Sequence, residues 1–411
     1  MPSIGRHVGR LLAGFAAATL VMQLGGVWSG AHAQDEVKIA MIAPISGPWA
    51  RQGELMRLGA EMAIDEINEQ GGIKALGGAK LRLVVADAGD TAEKAKNAAQ
   101  RVLAQEPDLI GGTGAWLSSF TLAVTEVTER EGLPWMTLSY SDAITERGFR
   151  YVFQTSATGG AQARAALPTI VELAETTTGK RPETVALIMD NTAAPVSFAK
   201  PMREGLIEEL GLELVVDEMF TPPLSDATPL VQRVRSARPD IVMLLPTAIP
   251  DDKLLLEKLH EFRIRVPVVA NGAHIGAPEL LDTVGKELLE GLLFIVPAWG
   301  IKGQEEMMER FEQRTGEPWI TQDSITAYGD VWVLKEALER AGVADREKVA
   351  EEIRRMELTE GPGAAFPGDV RFLENGRRAE APILIVQWQN GEPVTVYPPE
   401  YALAEPVWPE S

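Results

Sequence analysis

Two serines, Ser118 and Ser119, follow a short apolar run ending at Ile110 and lead into a helical pattern carrying Val124, Val127 and Leu133. Hydroxyls and free backbone N–H groups at a helix N-terminus make a site for an anion such as a carboxylate. The same serine serves equally well as a plain N-cap, which satisfies the helix and binds nothing. Asp87 and Asp90, in Ala86-Asp87-Ala88-Gly89-Asp90, are carboxylates available to a metal, and their simpler role is to build the loop and cap the helix after it. Covalent chemistry has little material. The chain has no cysteine, and of its four histidines only His260 and His274 lie outside the N-terminal segment. Gly-x-Ser-x-Gly, Gly-x-Gly-x-x-Gly and the phosphate-loop pattern are all absent, so a hydrolase, a dinucleotide enzyme and a nucleotidase each lack their working parts. No cofactor and no metal site are implied.

The elements that must position these groups alternate in type. Apolar, β-branched runs Val37–Ala43, Leu81–Ala86, Asp108–Ile110 and Trp135–Leu138 read as strands. Between them, Glu54 to Gln70 places Leu55, Leu58, Gly59, Met62, Ala63 and Ile67 on one stripe, with Gly71-Gly72 as its stop. A second helix is expected from Asp90, with Glu93 in capping-box spacing. The pattern then restarts: Arg150–Ser156, Thr184–Met189, Leu212–Val216, Asp240–Leu245 and Val266–Ala270 are extended. Helices are expected near Ala161–Thr176, Ser197–Leu210, Ala227–Ala237 and Asp251–Phe262. Three more helical stretches follow Trp299 (Glu305–Thr315, Ser324–Ala341, Arg346–Met356), then a β-rich end at Phe366–Phe372 and Ile383–Trp388, with Asn375-Gly376 and Asn390-Gly391 as turns. Two successive βα series predict an α/β protein of two similar lobes, each a mostly parallel sheet flanked by helices.

The first 33 residues read as a secretory signal. Arg6 and Arg10 precede an apolar stretch from Leu11 to Leu24, and Ala31-His32-Ala33 fits a cleavage site. The alternative is a membrane anchor, for which the stretch is short and interrupted by Gly14 and Gln23. Its removal would make the formal charge of −20 two units more negative. So acidic a protein is a poor partner for nucleic acid or anionic lipid. With no cysteine for lipidation, the expected location is the periplasm of a double-membraned bacterium, as a soluble monomer beginning near Gln34. The acidic, Pro-containing tail after Pro398 is expected to be frayed or irregularly packed.

Several short motifs then fall in one order. Ile42-Ala43-Pro44-Ile45-Ser46-Gly47-Pro48 follows the first strand, and Gly59-Ala60-x-x-Ala63-Ile64-Asp65-x-Ile67-Asn68 closes on Gly71-Gly72-Ile73. Gly111-Gly112 precedes Ser118-Ser119; Ala327-Tyr328-Gly329-Asp330 lies in a late helix; Phe366-Pro367-Gly368 leads to Asn375-Gly376. Together they resemble the leucine/isoleucine/valine-binding type of periplasmic solute-binding protein, over about residues 37–391. The resemblance implies the two-lobed type I periplasmic-binding-protein fold with three crossover strands. Residues 36–155 and 298–361 would form lobe one, and 156–297 and 362–395 lobe two, with 396–411 as tail. It implies capture of a small, carboxylate-bearing ligand, aromatic or amino-acid-like, by hinge closure, for the permease subunits of an ABC importer. A ligand sensor for a membrane signalling partner would use the same clamp. Neither role is catalytic.

The resemblance also assigns residues. Ser118 matches the serine that holds the ligand carboxylate, with Ser119 beside it. Ser139-Tyr140-Ser141 matches a second loop, where Tyr140 departs from the usual small residue and either fills the pocket or turns outward. Gln52 stands where an aromatic is usual, near Trp49; Ala194, beside Pro195, stands at the aromatic position of lobe two. The acid that would pair a ligand ammonium falls near Gly272, in Asn271-Gly272-Ala273-His274. A buried ammonium without a carboxylate is costly, so the resemblance, with this departure, disfavours an α-amino acid. Trp49, Trp116 and Trp299 flank the expected cleft and suit an apolar or aromatic ligand body. Asn271 and His274 are candidate polar contacts from lobe two.

Overall fold

The computed structural model describes residues 36–359 and 365–407. The signal-like segment 1–33 lies outside them. Five runs build a first sheet: β1 (Glu36–Ala43), β2 (Lys80–Asp87), β3 (Leu109–Gly114), β4 (Trp135–Thr137) and β5 (Val152–Gln154), in the order β2-β1-β3-β4-β5, mostly buried except for the edge strand β2. All four pairings are parallel. The connections are α1 (Ala50–Glu69), α2 (Ala92–Gln105), α3 (Ser118–Arg130) and a short 3₁₀ turn at Asp142–Ile144.

After α4 (Gly159–Thr178) a second sheet begins. It takes β6 (Thr184–Asp190), β7 (Glu213–Phe220), β8 (Ile241–Leu245), β9 (Val268–Asn271) and β10 (Leu293–Val296) as parallel neighbours. The chain then leaves to form helices Glu305–Thr315, Gln322–Ala341 and Arg346–Arg354 and a two-stranded ribbon, β11 (Glu357–Leu358) with β12 (Val370–Arg371). It returns as an antiparallel hairpin, β13 (Leu384–Gln389) and β14 (Glu392–Tyr397), giving the order β14-β13-β10-β9-β8-β6-β7. Asn390 and Gly391, both at positive φ, make the hairpin turn.

Each sheet has its own apolar layers. One cluster joins β1–β4 to α1–α3 and to Ile325, Tyr328, Val331 and Leu334 of the helix Gln322–Ala341. Two others cover the faces of the seven-stranded sheet. Among the described residues no helix is long and apolar enough to cross a membrane.

Local differences from the sequence reading have identifiable causes. β3 runs on to Gly114 because Gly111 and Gly112 pack against Leu334 and Trp135; a Cβ on Gly112 would lie 2.5 Å from the Trp135 ring. The cap of α2 is Thr91, whose hydroxyl accepts from the Lys94 N–H, whereas Asp90 pairs with the Lys94 ammonium. Asp87 accepts from Ile45 N, Ser46 Oγ and Gly89 N, which is loop structure. Of Phe366–Phe372 only Val370–Arg371 pairs as a strand. The tail through Val407 packs irregularly on β13 and β14, with Leu403 N donating to Thr395 O.

Candidate functional site

In open parallel sheets, ligand sites form beyond the carboxyl ends of the strands, where successive connections diverge. Both sheets have such a point. In the first, β1 lies between β2 and β3; in the second, β6 lies between β7 and β8. The loops that leave these strand ends enclose one cavity. The first sheet contributes Trp116, Leu117 and Ser118 after β3 and Leu138, Ser139 and Tyr140 after β4. The seven-stranded sheet contributes Ala194 and Pro195 after β6, Thr247 after β8 and Asn271 to His274 at the end of β9. Asp323, in the first turn of the helix Gln322–Ala341, completes the wall. The pocket spans about 430 Å³, part of it open to solvent. That is room for a few waters or a compact organic molecule.

The β3 loop is strained. Ala115 and Trp116 both have positive φ (66° and 43°), a conformation that costs a bulky residue of order 1–3 kcal/mol. It turns the indole into the cavity wall, where Nε1 donates to Asp323 Oδ1 at 2.8 Å and the ring meets His274 edge-on. Ser118 is the first residue of α3; the N-cap is Leu117, and the Ser118 side chain makes no capping bond. Its Oγ instead accepts from the N–H groups of Tyr140 (3.1 Å) and Ser141 (3.0 Å). A hydroxyl with both acceptor positions occupied has only its proton left to give. The plain N-cap role is therefore set aside.

The second loop is held from two sides. Gln154 Nε2 donates to Ser139 O (2.6 Å) and Ser141 O (3.2 Å). Ser139 Oγ donates to Trp116 O at 2.7 Å and contacts Thr121 Oγ1 and Thr137 Oγ1, so this hydroxyl is consumed in fixing the β3 loop. The Tyr140 ring faces the cavity rather than outward, and its OH donates to Gln322 Oε1 at 2.6 Å. Burial holds this phenol well above its ordinary pKa.

Across the cavity, Asn271 Nδ2 donates to Gln162 Oε1 (2.7 Å) and Ile295 O (3.0 Å), leaving its Oδ1 as an acceptor. His274 Nε2 lies 3.1 Å from Asp252 Oδ2, an ionic contact without the alignment of a hydrogen bond. Burial alone would lower the His274 pKa; Asp252, aided by Asp323 and Asp190, outweighs it and raises it. Desolvation raises Asp252 and Asp190, and takes Asp251 to about 6. Asp323, 1% exposed, is pushed by burial up to about 7, against the opposing pulls of Trp116, His274 and Arg51.

Six of the residues singled out in the sequence thus meet at the cavity: Trp116, Ser118, Ser139, Tyr140, Asn271 and His274. Four lie outside its walls. Ser119 is on the next position of α3; Ser141 contributes only its backbone; Gln52 is buried in α1; Trp49 packs edge-on against Phe120 at 5.8 Å. Trp299 is likewise core, against Phe294, with Nε1 donating to Pro393 O. Ala194 and Gly272 do face the cavity, so these two positions offer it neither an aromatic nor an acid. The acid among the lining residues is Asp323. Asp323 was not visible in the sequence, because a carboxylate in a first helical turn ordinarily answers the helix dipole.

A model of the periplasmic binding protein family matches residues 36–393. The chain belongs to this family. The binding protein is 29% identical over 391 residues to a Leu/Ile/Val-binding protein homolog of Brucella melitensis, covering 91% of this chain and 94% of that one. Its fold is similar to a branched-chain amino acid transporter substrate-binding protein of Streptococcus pneumoniae solved with isoleucine (TM-score 0.75, 18% identity, 88% and 99% covered). It is similar also to a solute-binding protein of R. palustris solved with benzoate (TM-score 0.73, 16% identity, 91% and 98% covered).

Proposed function

We propose that this protein is the substrate-binding component of an ABC importer: it captures a small carboxylate-bearing molecule in the periplasm by closing two lobes over it and delivers it to permease subunits in the inner membrane. The observation that carries this reading is the cavity itself, walled by strand-end loops of both sheets and furnished with a hydroxyl proton at the head of α3. Two lobes, 36–155 with 298–361 and 156–297 with 362–395, fit the sheets, because β1–β5 come from the first set of segments and β6–β10 and β13 from the second.

Contacts between the two sets support the reading of a clamp that closes. Arg51 of α1 pairs with Glu317 (2.5 Å) and, across the cleft, with Glu279. Ser197 of the helix after β6 bonds Asp142 through both N and Oδ2 at 2.9 Å, and Trp319 Nε1 donates to Gly276 O at 2.8 Å. Ligand contacts made only in this form would draw the open protein shut, and the permease would read the closed shape.

Binding rather than reaction suits the groups present. Ser118, His274 and Asp252 are the residue types of a hydrolytic triad, yet Ser118 Oγ spends its acceptor positions on backbone N–H groups and the His274 ring meets the edge of Trp116. A serine held in that way has no general base.

The test is a thermal-shift screen of the protein from Gln34 onward against amino acids, amides, aliphatic acids and aromatic acids. A ligand present at ~100 times its Kd adds about 2.7 kcal/mol to the apparent stability. Failure of every small carboxylate to raise the melting temperature overturns the reading.

A further inference from the structure

Asn375-Gly376 does more than turn the chain. Gln154 closes β5, where the chain leaves the first sheet, and residues 375–378 lie on its return to the second, between β12 and β13. The two segments are joined through backbone. Gln154 N donates to Gly376 O at 2.8 Å, and Arg378 N donates to Gln154 O at 2.9 Å. Gly376, at φ 81°, comes so close that a side chain there would collide with Val152 O. Arg378 anchors the returning segment in turn: its buried guanidinium donates to Asp369 O (2.9 Å), Gly368 O (3.1 Å) and Pro367 O.

The side chain of Gln154, fully buried, serves a different part of the molecule. Its Nε2 donates to Ser139 O and Ser141 O, on either side of Tyr140, and the N–H groups of Tyr140 and Ser141 bond Ser118 Oγ. Two carbonyls need two N–H donors, so the amide must present its nitrogen; a flipped amide would set oxygen against oxygen. A relay fixes the choice. Arg377 Nε donates to Thr145 Oγ1 at 3.1 Å, which leaves that hydroxyl's proton for Gln154 Oε1, also at 3.1 Å. Arg377 Nη2 donates to Asp142 O at 3.1 Å. A residue of the returning segment thus sets, through Thr145, which end of the amide the loop meets.

We propose that Gln154 is a positioning residue for ligand capture: it ties the loop that seats Ser118 to the segment connecting the two sheets, with Arg377 and Thr145 orienting its amide. This rests on the capture reading above and deepens it. The loop is ordered before a ligand arrives, so less of the binding free energy goes into ordering it. A rotation of one lobe on the other moves the connecting segment, and Gln154 carries that movement to the Ser118 loop.

Hydrogen–deuterium exchange with fragment-resolved mass spectrometry tests this on the ligand-free protein from Gln34 onward. It follows the amides of Tyr140 and Ser141, with those of β6 as the internal standard. Gln154→Leu removes both donors, and exchange at Tyr140 and Ser141 should rise about tenfold or more while β6 stays within about twofold of wild type. Thr145→Val should raise it about threefold or more, and Thr145→Ser, which keeps the hydroxyl, should match wild type. Arg377→Met should act as Thr145→Val does, yet add nothing in the Gln154→Leu background, where the relay is already cut. A rise below about twofold in Gln154→Leu overturns the proposal, and so does an Arg377→Met effect that persists in that background. A general loss of stability in Gln154→Leu would raise β6 as well. The decision then passes to Thr145→Val and Thr145→Ser, whose equal exchange refutes the relay. No ligand enters this measurement, so the capture reading stands or falls separately, on the thermal-shift screen.

Discussion

Asp323→Asn should stabilise the empty protein, and increasingly so as the pH rises. The carboxyl titrates near 3.8 in an unfolded chain and near 7 in the fold, where it is 1% exposed. Below about pH 4 both states carry the proton and the buried acid is neutral. Between there and about pH 7 the folded state keeps a proton that the unfolded state has released, so stability falls as pH rises; above about 7 the loss is complete. A shift of about three units, at ~1.4 kcal/mol each, makes that loss about 4 kcal/mol at pH 8. Asn removes it. Its amide still offers Trp116 Nε1 an oxygen but leaves a donor needing a partner, an offset of about 1 kcal/mol. The net gain at pH 8 is then about 3 kcal/mol, falling to nothing or a slight loss near pH 4. With an unfolding entropy of ~2.1 cal/mol/K per residue, 1 kcal/mol moves the melting point of a protein this size by little more than 1 °C, so about 4 °C is expected. Scanning calorimetry of both proteins from about pH 4 to 8 measures it. Asp190, Asp251, Asp252 and Asp330 are also raised by burial and bend both curves alike, so only the difference between them reports Asp323. A difference that is flat with pH, or a variant less stable than wild type at pH 8, refutes the assignment of Asp323 as a desolvated carboxylate.

Other substitutions test other parts. Ser118→Ala should weaken binding of a carboxylate ligand about 10- to 150-fold by calorimetric titration, the worth of a charge-assisted hydrogen bond. It should also destabilise the apo protein by about 1–3 kcal/mol per stranded donor, because Tyr140 N and Ser141 N lose their acceptor. Ser119→Ala should change neither by more than about twofold or 0.5 kcal/mol. Arg51→Gln breaks the ion pair to Glu279 without touching the cavity, and stopped-flow release should show a several-fold faster off-rate with little change in on-rate. Ligand should lower the radius of gyration measured by small-angle scattering while leaving the far-ultraviolet dichroism unchanged; an open apo form that does not contract on binding removes hinge closure.

The strands were legible wherever the apolar run is continuous. Thr184–Met189 and Asp240–Leu245 fall within a residue of β6 and β8. They blurred where tertiary packing replaces side-chain pattern, as in β3, whose last residues are Gly111-Gly112-Thr113-Gly114 and whose identity depends on Trp135 and Leu334 filling the space above them. The helix expected from Ser197 begins at Ala193, because Pro195 sits in the first turn, where a missing N–H is tolerated. Within the site, residues directly after strand ends could be found, since a strand end followed by Ser, Tyr, Asn or His is a local signal. Asp323 could not. What matters about it is that it lines a cavity assembled from loops far away in sequence, at a position set by the packing of Gly59 on Ser324.

The hairpin β13–β14 has a consequence for the order in which this chain can become sound. β10 pairs with β13 on one side and β9 on the other, but three helices and a ribbon are made before β13 exists. A chain that has emerged only as far as β10 presents that strand's unpaired backbone as an open edge made of Leu293, Phe294, Ile295 and Val296. Such an edge invites pairing with another chain. Nascent or C-terminally truncated molecules should therefore be far more aggregation-prone than the finished protein. The last part of the chain to be synthesised acts, in effect, as the seal on a sheet begun long before it.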